Sequence, residues 1–496
     1  MNYQSTRNRK IQLPSMEAIK RGISDEGGLF VPEDIPAFQS DRLKELIDAD
    51  YRQRAAEILG LYLTDYSRED LAQCVNSAYR SDTFSSEEIA PVTDLGNGLH
   101  VLELWHGPTC AFKDMALQIL PHLMTAAIRH TGEKKEIVIL TATSGDTGKA
   151  ALEGFRNVPG TRIMVFYPRQ GVSRMQMLQM VTQEGSNVRV VAVEGNFDDA
   201  QTGVKKIFND PEMKEILDRH GCRFSSANSI NWGRLVPQIV YYISSYLDLV
   251  KKGGISPGQA VNVVVPTGNF GNILAGYYAK RMGLPIRRLI CASNDNRVLT
   301  DFIRTGIYDR RREFYKTISP SMDILISSNL ERLLYELVDR DDSRVAFWMK
   351  ELSESGRYRM EGKALDDLQS MMWSGYATVE ETGESIRNTY EETGYTMDPH
   401  TAVGKWVYEE YRRETGDRTK TILVSTASPF KFAGDVLKAV RPETESSDVV
   451  RLLEQLAEVS RMPIPKPLRG LMDKPVLHKG TCTKSGMKEE VLSFLI

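Results

Sequence analysis

Three features of this chain could do chemistry together: one lysine among apolar neighbours, glycine-rich turns at strand ends, and hydroxyls beside those turns. The lysine is Lys113 in "ELWHGPTCAFKD" (103–114), set between Phe112 and Asp114 just ahead of an apolar helical run. Burial disfavours the charged form of an amine, so a lysine in such a setting becomes a neutral nucleophile able to attack an aldehyde. The competing reading is a surface lysine beside a helix-start aspartate. Spacing alone leaves both standing.

The stretch "TATSGDTGKAA" (141–151) follows an expected strand and opens an expected helix. Its backbone N–H groups and the helix dipole suit an anion, and Ser144 and Thr147 add hydroxyls. A nucleotide-triphosphate loop is excluded, because Thr143 stands at the first-glycine position and Ala150 where a magnesium-binding hydroxyl is required. "PTGNFGN" (266–272) repeats the placement, with Gly268 and Gly271 allowing close backbone approach to a ligand. Pro266 breaks a dinucleotide fingerprint, leaving only Asp295 in its favour. A nest for a single phosphate, framed by Asn269 and Asn272, fits better; a plain strand-to-helix turn is the alternative. "STASPFKF" (425–432) offers Ser425, Thr426 and Ser428 at a third strand end, though alone it reads as a helix cap. A nucleophilic lysine and a one-phosphate nest are what pyridoxal 5′-phosphate (PLP) requires, since it is an aldehyde carrying one phosphate.

The elements that must position these residues show a βα rhythm. "EIVILTAT" (136–143), "TRIMVFYP" (161–168) and "VRVVAVEG" (188–195) alternate with helical stretches, which predicts a parallel sheet covered on both faces. The rhythm restarts with "AVNVVVPTG" (260–268), "IRRLICASN" (286–294) and "KTILVSTAS" (420–428). Between the two sets, 231–250 reads as one long helix followed by "KKGGISPGQ", a candidate domain edge. The expected architecture is therefore α/β: two α/β domains with mainly parallel sheets and the site in the cleft between them. The expected boundaries are a helical N-terminal arm (1–95), a lysine-bearing domain (96–250), a phosphate-loop domain (251–440) with a helical insertion (309–393), and a C-terminal extension (441–496).

Composition narrows the partners. The 496 residues carry a formal charge of −3 from mixed charges that nearly cancel. There is no basic block to favour nucleic acid or a membrane surface. No apolar run reaches the roughly 18 residues of a membrane span. The 5 cysteines are scattered without CxxC spacing, which fits free thiols in a reducing cytoplasm. The 7 histidines form no HExxH or His/Cys cluster, so no metal is expected.

Six ordered motifs, "HGPTCAFKD", "TSGDTG", "NSINWGR", "VPTGNFGN", "DPHTAVG" and "STASPFKF", together with "STRN" and "GISDEGGLFVPEDIP" near the start, resemble those of threonine synthases. The resemblance spans nearly the whole chain. It implies the tryptophan synthase β-like fold (PLP fold type II) and conversion of O-phospho-L-homoserine and water into L-threonine and phosphate. It also implies that Lys113 forms the Schiff base with PLP and that Gly268, Asn269, Phe270, Gly271 and Asn272 hold the cofactor phosphate. Thr426, with Ser428 as rival, would meet the pyridine nitrogen. Ser144, Asp146 and Thr147 would line the substrate side, and Asn228, Ser229 and Arg234 would bind the substrate phosphate. His400 is expected to be a buried structural histidine, with a functional base as the alternative. Two departures stand out: Cys110 replaces the usual leucine, and Ser428 and Phe430 replace the common histidine and alanine. The rivals are another PLP lyase, such as a threonine or serine dehydratase, and a catalytically silent homologue that binds phosphorylated amino acids. The chain is expected to be cytoplasmic and to act as a monomer or homodimer.

Overall fold

The structure, a computed structural model, describes every residue except Gln39, Ser144, Gln170, Gly171, Glu445, Ser447 and Ile496, and only the backbone of Ser40, Asp41 and Asp198. Two parallel sheets dominate it. The first has five strands in the order Gly480–Cys482, Val188–Val193, Thr161–Pro168, Glu136–Ala142 and Cys222–Ser225, all parallel. The second has six: Met372–Tyr376, Ile286–Ser293, Val261–Pro266, Thr421–Ser425, Leu99–Glu103 and Val92–Asp94, with only the last pair antiparallel. Their central strands are near-continuous runs of buried Val, Ile and Leu, as sheets covered on both faces require.

The βα rhythm read from the sequence matches these strands closely, and the long helix appears as Trp232–Lys251. It is buried over most of its length and packs on helices Gly271–Arg281, Tyr51–Tyr62 and Asp114–Leu117. It therefore ties the lysine segment to the phosphate loop.

Several elements differ from the expectation. Strand Leu99–Glu103 falls in the 96–250 segment but pairs with Thr421–Ser425 in the other sheet. All five of its residues are buried, as an inner strand between Thr421–Ser425 and Val92–Asp94 requires. The 309–393 insertion supplies the edge strand Met372–Tyr376. The C-terminal extension adds Gly480–Cys482 to the first sheet. Residues 1–95 carry helices, but also a three-stranded antiparallel sheet of Asn2–Ser5, Asn8–Pro14 and Phe30–Pro32. No helix is long and apolar enough to cross a membrane among the described residues.

Strands Glu136–Ala142, Val261–Pro266, Thr421–Ser425 and Leu99–Glu103 are each followed by a segment that enters one cleft. Carboxyl ends of parallel strands are where such folds place ligands.

Candidate active site

The segment bearing Lys113 is laid against the 425–428 turn. Ala111 and Ala427 form an isolated antiparallel bridge, and the Phe112 N–H donates to the Thr426 carbonyl at 2.8 Å. Asp114 locks the other side by accepting from the N–H and hydroxyl of Thr109 at 2.8 and 2.6 Å. A side chain at Gly107 would fall 2.5 Å from that carboxylate, so the turn admits only glycine there. Lys113 itself is 9% exposed, which removes the surface reading. Its Nζ lies 3.3 Å from Ser321 Oγ, 3.7 Å from Asp146 Oδ2 and 5.0 Å above the Phe112 ring. Burial lowers the amine to about 8, with Asp146 opposing part of the fall.

Asp146 opens helix Asp146–Phe155 and is buried. Its Oδ1 receives Lys431 Nζ at 2.7 Å and Gln176 Nε2 at 2.9 Å. Burial alone would raise this carboxyl; Lys431 and Lys113 instead hold it well below the usual carboxylate range. The loop before it is shaped by Thr143, whose hydroxyl accepts from the N–H groups of Gly145 and Gly148 at 3.0 and 2.9 Å. Thr147 lines the cleft. Ser144 lies outside the described residues.

The 266–272 loop enters helix Gly271–Arg281 through Phe270, whose φ of 66° is left-handed. A Cβ at Gly268 would sit 2.3 Å from the Ser321 carbonyl oxygen. Asn329 and Ser327 brace the loop from behind, donating to Asn269 O at 3.1 Å and Gly268 O at 2.8 Å. The amide oxygen of Asn272 accepts from the Tyr241 and Tyr242 hydroxyls at 2.7 and 2.5 Å. That fixes its orientation, and Nδ2 is left buried without a partner. An orphan amide donor beside a helix start, whose first N–H groups have no acceptor within the helix, fits a phosphate.

Arg234 lies on the first turn of Trp232–Lys251 and is 3% exposed. It donates to Ala227 O, its Nε has no partner, and no carboxylate pairs with it among the described residues. Burial lowers it to about 10. The buried amide oxygen of Asn228 is also unpartnered, and Asn228, Ser229 and Arg234 all face the cleft. A buried cation without an acid is costly unless an anion joins it. The cleft measures about 1240 Å³ and brings together Lys113, Asp146, Thr147, Asn228, Ser229, Arg234, Gly268–Asn272 and Thr426. Ser428 does not join them: it is fully buried, and its hydroxyl caps the Pro429–Phe432 turn.

Sequence reasoning missed four participants. Lys431 is fully buried and bonds Asp146 and the Thr109 carbonyl, the latter at 2.9 Å. Ser321 touches Lys113 from within the supposed insertion. Arg332 donates to Phe30 O at 3.0 Å, to Asn329 Oδ1, and to Ile230 O at 2.6 Å. It thus links the N-terminal sheet to both anion loops. His400, read as structural, is buried with both ring nitrogens engaged and also lines the cleft. Of these, the lysine in "SPFKF" and the run "SPSMDILISSNLERLL" (319–334) carried a legible signal, a charged group inside an otherwise apolar or capped stretch.

A buried lowered-pKa lysine and an orphan-lined phosphate nest, facing each other between two parallel sheets, define a pyridoxal-phosphate dependent enzyme of fold type II. Comparison agrees: the family described as "Pyridoxal-phosphate dependent enzyme" matches residues 84–371, flanked by "Threonine synthase N terminus" over 2–79 and "Threonine synthase, C-terminal" over 401–479. The chain belongs to the threonine synthase family. It is 38% identical over 461 residues to threonine synthase of Schizosaccharomyces pombe, covering 87% of this chain and 88% of that protein. It is 42% identical over 450 residues to human threonine synthase-like 1, covering 88% of this chain and 60% of that longer relative. Like that human protein, the first curated relatives it matches are spanned over only about 60% of their length. A crystal structure of PLP-bound threonine synthase from Brucella melitensis superposes with a TM-score of 0.87 at 36% identity, covering 100% of this chain and 99% of that one.

Proposed function

We propose that this protein is a threonine synthase, converting O-phospho-L-homoserine and water into L-threonine and phosphate. The observation that carries the reading is Arg234. Its buried, unpaired guanidinium, with Asn228 and Ser229, forms a second anion site in the cleft that already holds the phosphate nest. A dehydratase acting on threonine or serine has no use for that second site.

When bound, PLP supplies an electron sink for charge that develops on the substrate carbons. Gly268, Asn269, Phe270, Gly271 and Asn272 would hold its phosphate, and Thr426, on the cleft wall, would serve the ring nitrogen. Lys113 would hold the aldehyde and, as a neutral amine, would take protons from the substrate's Cα and Cβ and deliver protons to Cγ, after phosphate leaves it, and finally to Cα, with water adding at Cβ. Asp146 steadies the ammonium that results, at 3.7 Å. Thr147 would bind the amino-acid carboxylate, and Ser144, which lies outside the described residues, is assigned the same role. Arg234, Asn228 and Ser229 hold the leaving phosphate. All five cysteines are free, which supports the cytoplasmic reading.

The test is turnover of O-phosphohomoserine by purified PLP-loaded protein, with threonine and phosphate measured together. Equal release of both supports the reading. A keto acid from threonine or serine, with no phosphate from O-phosphohomoserine, would place the protein among the dehydratases. Ligand binding without turnover of any of these would make it the silent homologue.

A further inference from the structure

The geometry points to Ser321 as a catalytic residue of this site, with Asp398 and His400 as the positioning pair behind it. Three contacts fix Ser321 at the junction of the lysine and the phosphate loop. Its hydroxyl accepts from Lys113 Nζ at 3.3 Å, its carbonyl packs where a Cβ of residue 268 would stand, and its N–H donates to His400 Nε2 at 3.1 Å. Because Nε2 accepts, the ring proton sits on Nδ1 and is donated to Asp398 Oδ2 at 2.6 Å. Asp398 is itself held: it caps helix Pro399–Thr415, and its Oδ1 accepts from the N–H and hydroxyl of Thr401. Asp398 and His400 are 0% and 2% exposed, and Phe432 packs edge-on against the imidazole. Both ring nitrogens of His400 are engaged, Nε2 by Ser321 and Nδ1 by Asp398, so the pair acts on the site through Ser321.

A lysine freed from an aldehyde has four flexible carbons between its amine and its backbone. Without a partner it would sample orientations that face away from the carbons it must serve. Ser321 accepts an N–H in both the amine and the ammonium state, more strongly from the ammonium, so it orients Nζ throughout without forming or breaking a bond. Asp146 favours only the ammonium. The two partners together hold the amine in place and keep it able to change charge. The "DPHTAVG" stretch then acts as a rigid backstop for Ser321.

The inference rests on the proposed reaction for its turnover readout alone; a second readout uses cofactor-free protein. Lys113 acetylation by acetic anhydride is followed against pH by peptide mass spectrometry, in wild type and in Ser321→Ala. Loss of an acceptor for the ammonium moves the midpoint to lower pH, seen as acetylation about fivefold faster at pH 7. In PLP-loaded protein, Ser321→Ala lowers kcat for O-phosphohomoserine about 10- to 100-fold with KM within about twofold. Ser321→Thr, which keeps a hydroxyl, restores both. His400→Asn shifts the acetylation midpoint in the same sense, and adding it to Ser321→Ala shifts it no further. An unchanged acetylation profile in Ser321→Ala overturns the assignment, whatever happens to kcat. If wild type releases no threonine, the proposed reaction fails while the acetylation result still decides the role of Ser321.

Discussion

Lys431 Nζ and Asp146 Oδ1 meet at 2.7 Å with their side chains 0% and 2% exposed. The pair lies directly behind Lys113, whose amine faces the second oxygen of the same carboxylate. Removing Lys431 takes away the nearer of the carboxylate's two buried ammonium partners and leaves only Lys113, at 3.7 Å. Lys431→Met is therefore expected to cost about 3–5 kcal/mol of unfolding free energy at pH 7, read by urea denaturation. The sign with pH follows from the depressed Asp146 carboxyl. Its contribution is fully present above the unfolded carboxylate value of about 3.9 and is lost as pH falls through the lower folded value. The gap between wild type and variant should narrow in acid. A gap that widens there would contradict the assignment.

PLP capture by the cofactor-free protein should follow the charge on Lys113. Only the neutral amine attacks an aldehyde, so the rate should rise with pH through a midpoint near the lowered value of about 8. Asp146→Asn removes the neighbouring charge that favours the ammonium and should move that midpoint lower. Stopped-flow absorbance between pH 6 and pH 11.5 measures both; a midpoint at the ordinary lysine value of about 10.4 would show that the amine is not desolvated.

Lys113 and the 266–272 loop were legible in the sequence because their signals are local: an ammonium in an apolar run, and glycines between a strand and a helix. For the partners that tune them, only residue types could be noticed, such as a lysine inside "SPFKF"; their contacts could not. Lys431 meets Asp146, and Ser321 meets Lys113, only after two sheets and the 309–393 segment have folded over one cleft. No spacing in the chain announces such contacts. The same holds for strands: Val261–Pro266 is a plain apolar run, whereas Asn8–Pro14 is polar, mostly exposed or half-buried, and is a strand because it pairs with Asn2–Ser5. Ser428 shows the converse. A hydroxyl two residues from Thr426 looked equivalent in sequence, and the Pro429–Phe432 turn claimed it as a cap.

Thr426 and Ser428 should accordingly separate in mutation. Thr426→Ala removes a hydroxyl from the cleft wall and should change the absorption spectrum and affinity of bound PLP with little loss of stability. Ser428→Ala removes a cap and should cost about 1 kcal/mol of stability with an unaltered spectrum. Absorbance titration with PLP, paired with thermal unfolding, distinguishes the two; the opposite pattern would exchange their roles.

Arg234 provides the strongest test of the second anion site, because its function and its stability effect should have opposite signs. The guanidinium is buried with its Nε unpartnered and, among the described residues, no carboxylate within ion-pair distance, so the ligand-free fold carries a poorly compensated charge. Arg234→Met keeps the aliphatic packing and removes that charge. The variant should unfold in urea with a free energy unchanged within about 1 kcal/mol or raised, despite losing the bond to Ala227 O. Its KM for O-phosphohomoserine should rise about 100-fold, since a charge-assisted contact to phosphate in a buried site is worth about 1.5–3 kcal/mol. PLP affinity, which the proposed function assigns to the separate Gly268–Asn272 loop, should stay within about twofold. Arg234→Lys keeps a charge but not the planar fork, and should recover only part of the loss. If Arg234→Met weakened PLP and substrate alike, the two phosphates would share one site, and the cleft would not hold the pair of anion sites on which the proposed reaction depends.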